Sequence, residues 1–285
     1  MSNPDMNQSP HLDLPQYDTV CDFVGNPVTP DLTAFFNGNQ FMVLNDLFRA
    51  FGHSFPECRS VFYETLPPGM LAQQILHGGD FQLGTLALRI IPDVFAAGLH
   101  EMEQLSAHLE TPVPYAQNHL ALVLPQNNPA GITGLNDLGR SGVRVLMPNP
   151  QTEGIARLAR QALEMAQAGL AQRVFQEKVQ NRQTVFTTVH HRQTVDSVAT
   201  GAFDVGVVWV SEAMHAASLN KAVRWLPFPP NANPAGRYYI AGLKQAPHPE
   251  AQKRFLQFIA SVDAQGIYAR YGFAPPSLPG AYEGF

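Results

Sequence analysis

Apolar residues along this chain alternate between short continuous runs, which are typical of buried strands, and stretches with helical spacing. The first half predicts strands at Leu32–Phe36, Val61–Thr65 and Asp93–Ala96, followed in turn by helices at about 41–51, 70–76 and 99–108. Repeated strand–turn–helix units are typical of a doubly wound, mainly parallel sheet flanked by helices. The pattern therefore predicts an α/β fold.

The second half continues the same alternation. It predicts strands at Leu120–Leu124, Val143–Met147, Asp204–Val210 and Tyr238–Leu243, one helical turn at Leu135–Leu138, and closing helices at Pro249–Ala260 and Ala264–Tyr271. The helix that begins after Gly154 is predicted to be the longest of the chain. The proline-rich segment Leu226–Pro234 predicts a crossing linker rather than a core element.

The stretch from Phe186 to Trp209 carries the clearest candidate chemistry. A short amphipathic helix is predicted to follow His190, His191 and Arg192 and to end at Gly201. Free N–H groups and the positive dipole end at a helix start favour an anion, and these three side chains are potential cationic donors. The alternative is a half-exposed loop with one imidazole packed and the other in water.

Composition excludes several classes of protein. Charged residues make up 14% of the chain, against about 25% in typical domains, the net charge is −5 and the pI is near 6.0. No basic cluster indicates nucleic acid, and no apolar run approaches the length of a membrane span. The first residues lack the basic and apolar regions of a secretory signal.

The two cysteines, Cys21 and Cys58, are too few for a disulfide framework and have no metal-binding spacing. One bridge between them and two free thiols are both compatible with the sequence. Neither cysteine is expected to carry function.

Three segments, in order, resemble a known family. Asn118–Pro129 with Ile132–Leu138, Gln193–Val208 and Gln265–Phe273 are similar to the mid-chain crossing, the segment before the return crossing and the C-terminal helix of type 2 periplasmic substrate-binding proteins of ABC importers. The molybdate- and tungstate-binding branch is the nearest. The likeness runs from about Leu32 to Phe273.

This resemblance implies two α/β lobes, each with a mainly parallel sheet, joined by two hinge crossings with the ligand in the cleft. Lobe 1 is expected at 18–116, completed by 229–285, and lobe 2 at 117–228. Ligands of such sheets bind beyond the carboxyl ends of the strands. The ligand-binding residues implied are Asn39, Gln40, Phe41, Glu64, Thr65, Gln151, Thr152, His190, His191, Arg192 and Trp209.

The implied function is capture of a small anion, such as a molybdate- or tungstate-like oxyanion, for uptake through an ABC permease. The first loop offers Asn39 and Gln40 rather than the hydroxyl residues usual in the molybdate branch, so backbone N–H groups, amides and Arg192 are expected to bind the anion. A monomer without a cofactor, catalytic residues or nucleic-acid partner is expected. The expected location is the periplasm, with the cytoplasm as the alternative.

Two other functions remain open at the level of the sequence. Glu64, His190 and His191 are acceptable transition-metal ligands, although the charge of Arg192 opposes a cation there. The adjacent pair Tyr238 and Tyr239 suggests iron, but neighbours on a strand face opposite sides, which favours core packing. An enzyme or a sensor could also be built on the same fold.

Overall fold

The computed structural model describes residues 11–13, 21–83, 85–151, 153–188 and 190–276. Its strands are β1 (His11–Asp13), β2 (Cys21–Val24), β3 (Leu32–Phe36), β4 (Val61–Glu64), β5 (Asp80–Leu83), β6 (Leu86–Arg89), β7 (Val94–Ala97), β8 (Val113–Asn118), β9 (Leu120–Pro125), β10 (Val145–Met147), β11 (Thr184–Phe186), β12 (Val205–Trp209), β13 (Val223–Pro227) and β14 (Gly236–Gly242). Its α-helices are α1 (Phe41–Ser54), α2 (Pro68–Leu76), α3 (Leu99–Gln104), α4 (Gly154–Ala166), α5 (Leu170–Gln172), α6 (Lys178–Gln180), α7 (Thr194–Ala199), α8 (Val210–Ser218), α9 (Pro249–Ile259) and α10 (Val262–Arg270). A π-helical turn, Arg173–Glu177, joins α5 to α6, and 3₁₀ turns lie at Gly38–Gln40, Leu135–Gly139, His191–Gln193 and Pro230–Ala232.

The chain divides into two compact units. Unit 1 contains the chain up to Gln117, Arg237–Arg270 and the residues from Ala274, and unit 2 contains Asn118–Gly236 and Tyr271–Phe273. The first two crossings therefore fall inside β8, at 117/118, and at the start of β14, at 236/237. The sequence interpretation placed the lobe boundaries at 116/117 and at 228/229, the second of which lies between β13 and β14.

Unit 1 is built on a sheet in the order β1-β2-β4-β3-β7-β14-β8. Strand β3 pairs in parallel with β4 and β7, whereas β2 and β14 join these neighbours antiparallel. One face holds a core centred on Phe35, Phe62 and Phe95. The Phe36 ring packs edge-on against Phe48 of α1 and Phe255 of α9. Helices on both faces explain why every residue of β3 is buried.

Unit 2 is built on a sheet in the order β11-β10-β12-β9-β13. Strand β10 pairs in parallel with β11 and β12, and β9 lies antiparallel between β12 and β13. Helix α4 packs on one face through Ile155 and Leu163, and α7 packs on the other through Val198. The predicted α/β class is confirmed; parallel strands lie beside each other in both sheets, and antiparallel strands extend them.

Several local predictions need correction. The segment Leu226–Pro234 is not an extended linker: it begins in β13, and Phe228 and Ala232 are buried in the core of unit 2. Helix α4 has 13 residues, one fewer than α1, so it is not the longest. Apolar residues between prolines can pack in a core without forming a helix or strand. The number of prolines alone therefore led to the wrong prediction of a linker.

Other elements were not predicted. The β5–β6 hairpin and helix α8 are absent from the sequence interpretation, and α3 ends at Gln104 rather than at His108. Helix α1 continues two residues past Gly52, because tertiary packing buries Phe51 and Gly52. The predicted stop at Gly201 is confirmed by its φ of 75°.

Cys21 and Cys58 form no disulfide with each other; Cys58 is buried and Cys21 is half-buried. Burial, with the nearby charge of Asp31, raises the pKa of the Cys58 thiol. Among the helices of the described residues, none combines the length and apolar character that crossing a membrane requires.

Close packing of α7 on β12 gives a test of this arrangement. A Cβ added to Gly206 would lie 2.3 Å from Thr194 Cγ2 and 3.2 Å from Val198 Cγ2, both on α7. Gly206→Ala should therefore lower the free energy of unfolding by about 1–3 kcal/mol, measured by urea denaturation. Gly266→Ala is the control, because a Cβ there meets nothing within 4 Å. An unchanged urea midpoint for Gly206→Ala would contradict the packing of α7.

Candidate functional site

The carboxyl ends of three parallel strands meet at one edge of the unit 1 sheet. In register, Phe35 of β3 lies beside Glu64 of β4, and Phe36 lies beside Ala96 of β7. The loops that follow these strands therefore share this edge, which is where open α/β sheets bind ligands. The first loop is tied to its neighbour because the Asn37 N–H donates to the Ala96 carbonyl at 3.2 Å.

The carboxamides of Asn39 and Gln40 are buried and bonded inside unit 1. Asn39 Nδ2 donates to the Tyr238 hydroxyl. Gln40 Oε1 accepts from the Tyr115 and Tyr268 hydroxyls, each at 2.8 Å, and Gln40 Nε2 donates to Tyr115 at 2.5 Å. These side chains therefore hold the loop in place, whereas the sequence interpretation assigned their amides to the ligand.

Helix α1 starts directly after this loop with Phe41, which is half-buried. Gln40 provides no side-chain cap, and the first turn of α1 contains no acidic residue. The N–H groups of a first turn have no intrahelical acceptors, and the helix dipole is positive there. The start of α1 consequently has the properties of an anion-binding helix terminus.

Glu64 and Thr65, at the end of β4, are both fully buried. Thr65 Oγ1 donates to Asp22 Oδ1 at 3.0 Å, and Glu64 Oε1 accepts from Gln74 Nε2 at 3.2 Å. Burial raises the pKa of Glu64 to about 8; the Gln74 hydrogen bond opposes this and the charge of Asp22 adds to it. Glu64 is therefore a neutral acid at pH 7.

In unit 2 the parallel strands β10, β11 and β12 also share a carboxyl edge. The Thr187 N–H donates to the Met147 carbonyl at 2.9 Å, which joins the loops after β11 and β10. Glu153 Oε1 accepts from the Asn149 N–H at 3.0 Å and from the Thr187 hydroxyl. Gln151 is exposed on this loop, and the predicted Thr152 lies outside the described residues.

Helix α4 begins at Gly154, immediately after that loop. Glu153 gives it no side-chain cap, and its first turn has no acidic residue. Among the described residues, a Cβ built on Gly154 meets no atom within 4 Å apart from its chain neighbours and its own helix backbone.

The loop after β11 leads through His190 and Arg192 into α7. Both residues are buried, and the Arg192 N–H donates to His190 Nδ1 at 3.1 Å. Because Nδ1 accepts, a neutral His190 carries its proton on Nε2. His191 begins the short 3₁₀ turn; its side chain lies outside the described part of the chain.

Trp209 ends β12 and is buried in the unit 2 core. Its backbone N–H donates to Glu212 Oε2 at 3.1 Å. The indole fills the space above Gly236, where an added Cβ would approach it to 2.4 Å. A packing role for the ring is evident, and its predicted contact with a ligand stays a prediction.

With these loops in place, comparison with known proteins becomes informative. The profile of bacterial extracellular solute-binding proteins matches residues 32–274. The chain belongs to this family. This confirms the resemblance inferred from the three sequence segments.

Relatives of this solute-binding protein include two curated proteins that are named for the oxyanions they bind. The molybdate-binding protein ModA of Mycobacterium tuberculosis is 26% identical over 166 residues, or 58% of this chain and 57% of that protein. The sulfate-binding protein of Synechococcus elongatus is 28% identical over 166 residues, or 56% of this chain and 47% of that protein. The chain thus spans about half the length of the curated relatives it matches.

Solved structures show the fold. The periplasmic molybdate-binding protein of Azotobacter vinelandii has a TM-score of 0.69 and 18% identity, covering 86% of this chain and 100% of that one. The sulfate-binding protein SubI of M. tuberculosis has a TM-score of 0.69 and 18% identity, covering 87% of each chain. The expected periplasmic-binding-protein-like fold is confirmed.

Sequence reasoning missed the residues that organise these loops. Asn149, Glu153 and Thr187 hold the unit 2 loops together, and Tyr115 and Tyr268 bind Gln40. Asn149 and Glu153 are four residues apart, but the other contacts join residues between 34 and 228 positions apart, so no short motif marks the set. Tyr238 was noticed only as half of a tyrosine pair.

The alternative metal set divides between the units, with Glu64 in unit 1 and His190 and His191 in unit 2. In the described residues no group of three or more His, Cys, Asp or Glu side chains could hold a metal ion. The Nδ1 atom of His190 is already an acceptor for the Arg192 N–H. The metal hypothesis therefore gains no support from the geometry.

Glu64 generates a pH test. Its pKa is raised from about 4.5 in an unfolded chain to about 8, so between these values the folded state binds more protons and stability falls as pH rises. Glu64→Gln imitates the neutral acid, because its side chain has the same shape and cannot ionise, and its Oε1 can still accept from Gln74 Nε2. The variant should lose most of the fall in melting temperature between pH 5 and 8.

The control for this experiment is Glu103→Gln, on the exposed face of α3. It should keep the wild-type pH profile. If Glu64→Gln also kept that profile, Glu64 would be ionised in the folded protein at neutral pH.

Proposed function

We propose that this solute-binding protein is a receptor for a small oxyanion of the molybdate, tungstate or sulfate class. The observation that carries the proposal is the pair of helix starts at α1 and α4. These are the two longest helices, one in each unit, and each begins at the carboxyl edge of parallel strands without a side-chain cap or an acidic first turn. Such termini bind anions through backbone N–H groups.

Arg192 supports the same proposal. Its side chain is buried in the loop that joins β11 to α7, at the carboxyl edge of unit 2. A guanidinium remains charged at all physiological pH values and matches the geometry of oxyanions with its fork of donors. A buried fixed positive charge at this edge favours an anion over a metal cation.

The names of the relatives agree with this class of ligand, since molybdate and sulfate are both tetrahedral dianions. We propose that backbone N–H groups replace the hydroxyl side chains that are usual in the first loop of the molybdate branch, since the Asn39 and Gln40 amides are bonded within unit 1. An ABC permease is the proposed partner, the periplasm the proposed location and the monomer the proposed state. Binding without turnover is proposed, and a cofactor is not required for it.

The direct experiment is isothermal titration calorimetry of the purified protein with molybdate, tungstate, sulfate and phosphate, in buffers with and without EDTA. Binding of at least one oxyanion, unchanged by EDTA, is the expected result. Heat from divalent metals alone, abolished by EDTA and strengthened as the pH rises from 5.5 to 8, would replace the anion proposal with a metal one.

Arg192→Ala should weaken oxyanion binding about tenfold or more, because a charge-assisted hydrogen bond contributes about 1.5–3 kcal/mol. The matched control is Arg224→Ala, which removes an exposed guanidinium from β13 of the same unit. The control should bind with wild-type affinity. Equal affinities for both variants would remove Arg192 from the site.

Gly154→Asp tests the start of α4. The Cβ of the new side chain meets no atom of the described residues within 4 Å beyond its chain neighbours and its own helix backbone. A carboxylate in the first turn stabilises a helix and at the same time occupies the place of an anion. We expect oxyanion affinity to fall at least about tenfold with no loss of melting temperature, since the new charge competes with the ligand.

Gly154→Asn is the isosteric neutral control and should retain most of the affinity. Equal losses for Asp and Asn would indicate a steric effect. Unchanged affinity in both variants would place the ligand away from α4.

A further inference from the structure

The chain passes from one unit to the other at four points, here called crossings. The tyrosines that hold the first loop of unit 1 lie close in sequence to three of these crossings. The crossings follow Gln117, Gly236, Arg270 and Phe273. Tyr115 lies two residues before the first crossing and Tyr268 two residues before the third, while Tyr238 is the second residue after the second crossing. All three tyrosines belong to unit 1.

The hydroxyls of these tyrosines converge on two consecutive residues. Tyr115 and Tyr268 donate to Gln40 Oε1, and Tyr238 accepts from Asn39 Nδ2. The rings also contact each other, with centroids 5.5 Å apart for Tyr115 and Tyr268 and 6.4 Å apart for Tyr115 and Tyr238. The three tyrosines and the two amides, together named the tyrosine–amide cluster, link three crossings to the start of α1.

Burial of the polar side chains in this cluster is unfavourable unless they keep their hydrogen bonds to each other. Asn39, Gln40, Tyr115, Tyr238 and Tyr268 are each no more than 4% exposed. A buried amide or hydroxyl without a partner is unfavourable, so displacement of the loop would break several bonds together. Burial raises the pKa of the Tyr115 and Tyr268 hydroxyls well above their usual range, so both remain donors at physiological pH.

We propose that Tyr115, Tyr238 and Tyr268 are positioning residues, which act through the side chains of Asn39 and Gln40 to orient the backbone at the start of α1 for its anion. This inference rests on the oxyanion function proposed above. It assigns the loop amides to the tyrosines and the ligand to the backbone N–H groups. Because each of the three tyrosines lies within two residues of a crossing, the orientation of this helix start also depends on the backbone position at those crossings.

Tyr268→Phe is the decisive variant, because it removes one hydroxyl and keeps the ring that packs on Tyr115. Hydrogen exchange of backbone amides in residues 37–42, measured without ligand, should accelerate at least about fivefold, the factor expected for one lost buried hydrogen bond. Affinity for the oxyanion bound most tightly by the wild type should fall by a similar factor.

Tyr63→Phe is the matched control. Tyr63 is a buried tyrosine of the same unit that stacks on Phe48, at 5.2 Å between centroids, and lies outside the cluster. It should leave exchange in residues 37–42 and the affinity unchanged. Urea denaturation of both variants separates a local effect from a general loss of stability.

A double-mutant cycle shows whether the effect passes through Gln40. In a Gln40→Met background, Tyr268→Phe should no longer change exchange in residues 37–42, since its acceptor is gone. Wild-type exchange in Tyr268→Phe, or additive effects in the double variant, would overturn the positioning role.

The outcomes distinguish the two proposals. If the wild type binds an oxyanion and Tyr268→Phe binds it equally tightly, the inference fails while the function stands. If the wild type binds no oxyanion but exchange in residues 37–42 accelerates as expected, the function fails while the cluster is confirmed as the support of the loop.

Discussion

Burial of the Gln40 amide is the constraint from which the arrangement of unit 1 can best be understood. A carboxamide has two acceptor lone pairs and two donor protons, and removal from water without partners is unfavourable. Here two tyrosine hydroxyls from distant segments, β8 and α10, reach the same Oε1 atom. The loop between β3 and α1 can satisfy this amide only when those segments are in place. Local loop geometry is therefore a consequence of long-range packing.

In unit 2 the loop at the carboxyl edge is also held by side-chain hydrogen bonds, but a carboxylate rather than an amide accepts them. Its first loop is held by an acid, Glu153, which accepts from the Asn149 N–H and from Thr187. Thr187 also joins β11 to β10 through its own N–H. Both units thus use side chains to hold a loop at the carboxyl edge of parallel strands, and both leave the start of a long helix without a side-chain cap. The proposed anion would accept hydrogen bonds from the backbone N–H groups at these helix starts, which no side chain caps.

Much of the fold could be predicted because its signals are local. The runs at Leu32–Phe36 and Leu120–Leu124 are strands that helices cover on both faces of each sheet, so they are apolar apart from Thr33. The hydrogen-bond partners of a buried side-chain amide, in contrast, cannot be predicted from the neighbouring sequence. Asn39 and Gln40 stand where ligand contacts were expected, yet their partners are tyrosines 75 to 228 residues away. Phe228 likewise enters the core from a proline-rich segment that carries no periodic pattern.

The electrostatics of the two edges follow from burial rather than from residue type. Glu64 would place a negative charge at the edge of unit 1 if it were exposed, but burial keeps it protonated at neutral pH. The buried guanidinium of Arg192, in contrast, is favourable only where anionic or carbonyl oxygens surround it. Burial thus removes the charge of Glu64 at the edge of unit 1 but leaves that of Asp22. At the edge of unit 2, Arg192 shares the edge with the acid Glu153. Within unit 1 the dipole of α1, and within unit 2 the dipole of α4 and the guanidinium of Arg192, each act in the direction that the proposed anion requires.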